Sequence, residues 1–339
     1  MKKIKTEHAI GLKLLHDVTE VDAKRNFKGI AFKRGHIITS EDISKLKSIG
    51  KNYVFIEEAG DENLIHEDDA SLQLSPLIAG KNVYFDNKPK EGKINFYSNI
   101  NGLLKLDKDK IIKINLLKIP SFPTIHNNFP VVKNQLIAAF RIIPLYCDNS
   151  IIEACRTILT SPALSVLPYK LKKASIIVTG NEVYNGIIED RFIPVIEKKL
   201  KFYNIKTVNS VILPDNKQLI RNKISEFSNS SDIIFITGGT SVDPDDVTRE
   251  AMTEANVNII QEGCPVQPGN NLTIGYLNTT PVLAIPAAAI YFKNTSLDIF
   301  LPRIATGERI TEYELAEYSI GGLCHFCKTC VYPKCSFGK

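Results

Sequence analysis

The pattern of apolar and polar positions changes character along the chain. Thr39 with Asp42 three positions on has the form of a helix capping box. Ile43, Leu46 and Ile49 then recur at helical spacing, and Gly50 is placed to end the helix. Asn52-Tyr53-Val54-Phe55-Ile56 follows as a buried strand, so residues 1–60 are expected to form a small α/β unit. The stretch from about Glu57 to Leu72 is acidic and poorly periodic and reads as a connection. From about Gly80 to Cys147 short β-rich runs alternate with turn residues. Lys93-Ile94-Asn95-Phe96-Tyr97 and Leu103-Leu104-Lys105-Leu106 flank Asn99-Ile100-Asn101-Gly102, where Asn-Gly favours a hairpin turn. Residues 75–150 are therefore expected to form a β-rich domain, a compact barrel or sandwich.

A helical stretch near Ser150 to Leu159 and a link containing Pro162 and Pro168 lead into a third pattern. Ala174-Ser175-Ile176-Ile177-Val178 is a continuous apolar strand, Glu189 to Tyr203 a helix, Thr207 to Leu213 a strand and Asn216 to Phe227 a helix. Asp232-Ile233-Ile234-Phe235-Ile236-Thr237 is the next strand. Continuous apolar strands separated by amphipathic helices mean a sheet buried on both faces. Residues 171–310 are expected to be a doubly wound α/β domain with a mainly parallel sheet. In such folds ligands bind beyond the carboxyl ends of the strands, which singles out the loops beginning at Thr179 and Gly238.

Composition narrows the class. A chain of 339 residues, 44% apolar and 23% charged, is globular and long enough for two or three domains. A formal net charge of +5 is small for this length and argues against sequence-independent nucleic-acid binding. The lysines of the β-rich region are balanced locally by Asp86, Glu91, Asp107 and Asp109. The basic start, Met1 to His8, lacks the uncharged apolar core of a signal peptide because Lys13 interrupts Ala9 to Leu15. A cytoplasmic protein with no membrane and no nucleic-acid partner is expected. Cys147, Cys155 and Cys264 lie in apolar surroundings, as reduced core cysteines do.

The strand ending at Thr237 runs into Gly238-Gly239-Thr240-Ser241-Val242-Asp243-Pro244-Asp245-Asp246-Val247-Thr248. Paired glycines let backbone approach a ligand closely, and the hydroxyls of Thr240 and Ser241 with free N–H groups at the next helix suit phosphate. Three carboxylates just beyond, Asp243, Asp245 and Asp246, could hold a hard cation such as Mg2+ against phosphate oxygens. The alternative is a tight turn with Asp245 or Asp246 as a helix cap.

The other strand-end loops are Thr179-Gly180-Asn181-Glu182-Val183 with Gly186 and Asp190, Leu213-Pro214-Asp215-Asn216, and Val266-Gln267-Pro268-Gly269-Asn270-Asn271. Taken in order with Gly-Gly-Thr-Ser, they resemble the molybdopterin-binding domain shared by molybdenum insertases and molybdopterin adenylyltransferases, over about Lys173 to Gly307. Weaker similarity to insertases runs upstream through Phe32 to Ile38, Asp42-Ile43 and Leu46. The resemblance implies that Glu182, Asp215 and Asp246 occupy acidic positions of cofactor or metal handling, the candidate catalytic set. It implies that Gly238, Gly239, Thr240 and Ser241 form the pterin-phosphate loop. Thr179, Gly180, Asn181, Gly186, Asp243, Asp245, Thr248, Pro268, Gly269, Asn270, Asn271 and Pro286 complete the implied binding set.

Departures from the family pattern bear on activity. Asp243 replaces a glycine, and Phe192 stands where asparagine often follows Asp190. Gln267, Asn270 and Asn271 remove two lysines that would neutralise an anion, and Pro286-Ala287-Ala288-Ala289 replaces Pro-Gly-Asn-Pro. The chain also resembles competence-damage-inducible proteins, which include nucleotide pyrophosphatases, in the ending Asp245-Asp246-Val247-Thr248. The resemblance thus implies an insertase-like molybdenumtransferase, inserting molybdate into adenylylated molybdopterin with magnesium-assisted nucleotide release. The alternatives are a non-catalytic carrier or sensor serving a molybdoenzyme, or a pyrophosphatase. Homo-oligomers occur in this family.

Neither family pattern accounts for the end of the chain. Cys324, Cys327, Cys330 and Cys335 follow a C-x2-C-x2-C-x4-C spacing within residues 320–339. Four thiolates so close in sequence can wrap one zinc ion or one iron–sulfur cluster. A disordered thiol-rich tail or a regulatory disulfide are the alternatives.

Overall fold

The computed structural model describes residues 2–22, 26–56, 63–240 and 247–339. The N-terminal segment contains β1 (Lys2–Lys5), β2 (Val18–Asp22), β3 (Phe27–Phe32), α1 (Ser40–Ser48) and β4 (Tyr53–Ile56). Strand β1 pairs antiparallel with β4, and β2 with β3. Leu14, Val18, Ile38, Leu46 and Val54 meet in its core. The Thr39–Asp42 capping box is formed in both directions, and Gly50 leaves the helix at φ 79°.

The next segment runs β5 (Leu64–His66), α2 (Glu67–Ile78), β6 (Val83–Phe85), β7 (Ile94–Ser98), β8 (Gly102–Leu106) and α3 (Lys108–Leu116). It continues with β9 (Pro120–Ser121), β10 (Pro130–Val131), β11 (Leu136–Ile142), β12 (Tyr146–Asp148), α4 (Asn149–Ile158) and β13 (Leu164–Pro168). Two small antiparallel sheets, ordered β10-β8-β13 and β6-β7-β11-β9, share a core that includes Leu74, Phe96, Leu104, Phe140 and Ile152.

Two local expectations fail here. Strands β7 and β8 do not form a hairpin: β7 pairs with β6 and β11, and β8 with β10 and β13. Gly102 serves close approach instead, since a Cβ there would lie 2.3 Å from the Leu167 carbonyl oxygen. The acidic stretch expected to be a connection holds β5 and the start of α2. Glu67, Asp68 and Asp69 occupy the first turn of α2, where the helix dipole favours negative charge. Ser71 and Ser75 on its buried face interrupted the apolar period. They are satisfied by the carbonyls of Gly92, at 2.6 Å, and Ser71, at 2.7 Å.

The third segment carries β14 (Lys173–Thr179), α5 (Asn181–Tyr184), α6 (Phe192–Phe202), β15 (Lys206–Leu213), α7 (Lys217–Phe227), β16 (Ile233–Thr237) and α8 (Thr248–Glu254). It ends with β17 (Asn258–Gln261), β18 (Thr273–Leu277), β19 (Thr280–Ile285), α9 (Ala288–Tyr291), α10 (Ser296–Ala305) and α11 (Glu312–Glu317). The sheet order is β15-β14-β16-β19-β18-β17, parallel over the first four strands and antiparallel at β18 and β17. Successive residues feed opposite faces, as a strand demands. Ile176, Val178 and Phe235 pack with Ile196 and Leu200 of α6 and Phe300 of α10, while Ile177, Ile234 and Ile236 pack with Ile220 and Ile224 of α7 and Met252 of α8. Helix α6 starts at Phe192 rather than Glu189, because the Asp190 carboxylate accepts from the backbone N–H groups of Phe192, at 2.9 Å, and Ile193, at 3.1 Å. Among the described residues no helix is long and apolar enough to cross a membrane.

Candidate functional site

The register of the third sheet gathers the expected loops at one edge. Thr179 stands opposite Leu213, Thr237 opposite Val178 and Ile285, and Thr273 opposite Ala284. The turns after β14, β15, β16 and β19, and the loop that enters β18, therefore open on the same side. This is the crevice beyond the strand ends that a doubly wound sheet creates.

Gly180, at φ 143°, turns the chain from β14 into α5. The next residue is clasped to the neighbouring loop. The Asn181 N–H donates to Asp215 Oδ2 at 3.0 Å, and the Asp215 N–H donates to Asn181 Oδ1 at 3.3 Å. Glu182 and Gly186 lie exposed at the rim. At the end of β16, Gly238 and Gly239 adopt φ of 87° and 55°. A Cβ on Gly238 would sit 2.1 Å from the Thr179 carbonyl oxygen, so the two loops touch backbone to backbone. Thr248 is buried and its hydroxyl donates to the Gly238 carbonyl at 2.9 Å, while Arg249 Nη2 donates to the Thr240 carbonyl at 2.9 Å. Ser241, Asp243, Asp245 and Asp246 fall outside the described residues.

The loop before β18 is tied down independently. Ser296 Oγ donates to the Gly269 carbonyl at 2.6 Å, the Ser296 N–H donates to the Pro268 carbonyl at 3.0 Å, and Cys264 N–H donates to the Asn270 carbonyl at 2.7 Å. Pro268 and Gly269 are buried, Asn271 is half-buried and Asn270 is exposed. Pro286 is buried at the end of β19, and its carbonyl accepts from Ala289 in the short helix that the Pro-Ala-Ala-Ala run forms.

Around this edge buried polar atoms lack hydrogen-bond partners among the described residues. They are the hydroxyls of Thr179, Thr237 and Thr273, Oδ1 of Asp215 and Nε of Arg249. A buried polar atom left unpaired costs roughly 1–3 kcal/mol, so a cluster of them at one rim calls for a partner. Hydroxyls, one carboxylate oxygen and a guanidinium can together meet a ligand with phosphate oxygens and exchangeable N–H or O–H groups. Thr237, Thr273 and Arg249 were not read from the sequence as site residues. A single threonine closing the apolar run Ile233 to Ile236 is the signal that marks the first of them.

The C-terminal cysteines converge. Cys324, Cys327, Cys330 and Cys335 line one cavity of about 320 Å³ together with Phe292 and Phe326. Among the described residues, no three His, Cys, Asp or Glu side chains are placed to hold a single metal ion. The tail is packed rather than loose: Phe337 is buried, and Tyr332 Oη donates to the Asp298 carbonyl at 2.9 Å. Cys147, Cys155 and Cys264 are free and buried. Burial pushes the Cys155 thiol up to about 12 and Cys264 up to about 11, which makes both inert core groups.

Comparison with known proteins agrees with this domain. Residues 175–306 match the family model described as a probable molybdopterin binding domain, and residues 3–58 match that of a domain of unknown function. A CinA-like protein of Thermosipho melanesiensis is 37% identical over 84 residues, covering 25% of this chain and 21% of that protein. A CinA-like protein of Petrotoga mobilis is 37% identical over 89 residues, covering 26% of this chain and 22% of that protein. The chain thus spans about a fifth of the length of these curated relatives. A solved structure of the molybdopterin biosynthesis enzyme MoaB from Thermus thermophilus is 19% identical, with a TM-score of 0.34, over 40% of this chain and 98% of that one.

Proposed function

We propose that the chain binds molybdopterin or its nucleotide in the crevice at the carboxyl edge of the third sheet, as an insertase-like protein of molybdenum cofactor biosynthesis. The observation that carries this reading is the set of buried atoms on Thr179, Asp215, Thr237, Arg249 and Thr273 that have no hydrogen-bond partner among the described residues. The glycine pair at 238–239, packed against the Thr179 carbonyl and the Thr248 hydroxyl, sets the turn whose backbone N–H groups would meet phosphate. In this reading Asp215 and the exposed Glu182 face the ligand. A divalent cation such as Mg2+ belongs to it as the partner of Asp243, Asp245 and Asp246, with molybdate as the second substrate.

Replacing Thr237 by Val tests the reading through two opposite signs. Loss of a buried hydroxyl that has no partner among the described residues should leave the free protein as stable or about 1 kcal/mol more stable. The same change should weaken molybdopterin binding about tenfold in anaerobic calorimetry, because one hydrogen bond to the ligand is gone. An unchanged affinity would remove Thr237 from the site and with it the reading's main support.

A second reading, hydrolysis of a nucleotide diphosphate, is favoured by Asp245-Asp246-Val247-Thr248 and by the CinA-like relatives. Release of a nucleoside monophosphate in Mg2+ would support it. Tight pterin binding without turnover on adenylylated molybdopterin or on a nucleotide diphosphate would support a carrier instead. The carrier is the outcome that the two missing lysines, at 267 and 270, favour.

A further inference from the structure

We infer that the four C-terminal cysteines ligate an iron–sulfur cluster of the four-iron type, seated against the loop that enters β18. A single zinc ion needs its four sulfurs about 2.3 Å from the metal and hence about 3.8 Å from one another, with no space between them. The described residues offer no three donors arranged in that way. Cys324, Cys327, Cys330 and Cys335 instead all line one common, half-open cavity of about 320 Å³. A cubane cluster places iron between every thiolate and a central body of iron and sulfide, so it requires sulfurs that are spread around a void.

The lining suits such a body. The aromatic rings of Phe292 and Phe326 meet edge to face at 5.9 Å on its wall, and Phe337 closes the inner side. Lys293 and Lys328 line it and, among the described residues, no carboxylate does. That balance matters because four thiolates carry more negative charge than the cluster core carries positive. Two donors already point at sulfur: Asn294 Nδ2 lies 2.9 Å from Cys330 Sγ, and the Phe326 N–H lies 3.4 Å from Cys324 Sγ. Hydrogen bonds to sulfur are a principal control on cluster potential. Phe326 itself adopts φ 52°, a left-handed conformation that is uncommon for a bulky residue.

The tail is also stitched to the crevice. Leu323 forms a parallel bridge with Gln267, the Gln267 N–H donates to the Gly322 carbonyl at 2.8 Å, and the Cys324 N–H donates to the Gln267 carbonyl at 2.8 Å. The first cysteine ligand is therefore held by the residue preceding Pro268. The cluster braces that loop.

The test is elemental and sulfide analysis of the full chain purified without oxygen. About four irons and four acid-labile sulfides per chain are expected, with the broad visible absorption of thiolate-bound iron. Cys327→Ser and Cys335→Ser should each lower the iron content to less than half, while Cys155→Ser, in the middle segment, should keep it. Zinc near one per chain without sulfide, iron without sulfide, or neither metal would each overturn the inference. An iron content unaffected by both tail substitutions would overturn it too.

Discussion

Asn181 and Asp215 hold each other by a reciprocal pair of hydrogen bonds across the mouths of two neighbouring parallel strands. The pair uses one carboxylate oxygen of Asp215 and leaves Oδ1 buried, with no partner among the described residues. Asp215→Asn can keep an acceptor for the Asn181 N–H while turning the second position into a donor. Thermal stability should change little, and molybdopterin affinity should fall about tenfold or more, as for loss of a charged hydrogen bond. Equal affinities in the two proteins would place Asp215 outside the ligand's reach.

Gly238 and Gly35 separate the effect of space from that of backbone conformation. Both have positive φ, 87° and 84°, but a Cβ on Gly238 meets the Thr179 carbonyl oxygen at 2.1 Å, whereas one on Gly35 meets nothing within 4 Å. Gly35→Ala should cost about 1 kcal/mol, the ordinary penalty for a left-handed alanine. Gly238→Ala should cost clearly more, since two backbones must part as well. Urea midpoints of the two variants check this, and equal losses would contradict it.

Protonation of His66 should weaken the fold. Its Nδ1 accepts from the Asp68 N–H at 3.2 Å, capping α2, and its Nε2 has no partner among the described residues. Burial, followed by the charge of Arg34, holds its pKa below the usual 6.5, against the opposing pull of Asp68, Asp69 and Asp17. The unfolded chain then binds the proton more readily. The stability is present above pH 6.5 and is lost as pH falls below it through the folded value. Glu67 beside it is pushed up by burial against the pull of Arg141, and so acts in the opposite sense. His66→Asn keeps a capping side chain, removes the titration and leaves Glu67 in place. The drop in urea midpoint between pH 7.5 and 5.5 should be smaller in this variant than in wild type.

The Mg2+ expectation has its own discriminating variant. If Asp246 holds the ion against ligand phosphate, Asp246→Asn should weaken ligand binding much more in Mg2+ than in chelator. The N-cap of α8 is Val247 rather than Asp245 or Asp246, so if Asp246 does not hold the ion both conditions should give wild-type affinity. A magnesium titration of ligand affinity for the two proteins decides between these outcomes.

Much of the third segment was legible in the chain. Runs such as Ile233 to Ile236 are apolar on both faces, and only a sheet covered twice can bury them, so strand order along the chain implied helices on both sides. The same logic located the loops at Thr179 and Gly238, because parallel strands deliver all their carboxyl ends to one edge. The Thr39–Asp42 cap was readable for a simpler reason: its partners are three residues apart and need no tertiary contact.

The middle segment shows where local reading stops. Asn101-Gly102 has the composition of a hairpin turn, yet Gly102 is placed by the Leu167 carbonyl that passes 65 positions later in the chain. Ser71 and Ser75 hid the buried face of α2 because their hydroxyls find carbonyl partners only once the helix is docked or formed. Residue types and spacing by themselves determined the covered sheet, the polar loops at its carboxyl edge and a four-thiol tail. Only the tertiary structure decided that Thr179, Asp215, Thr237 and Thr273 lie at one edge with buried atoms unpaired among the described residues, and that the four cysteines line one cavity. Hydrogen-bond satisfaction and enclosed volume are properties of neighbours in space, and the chain's order carries no record of which distant residues those neighbours will be.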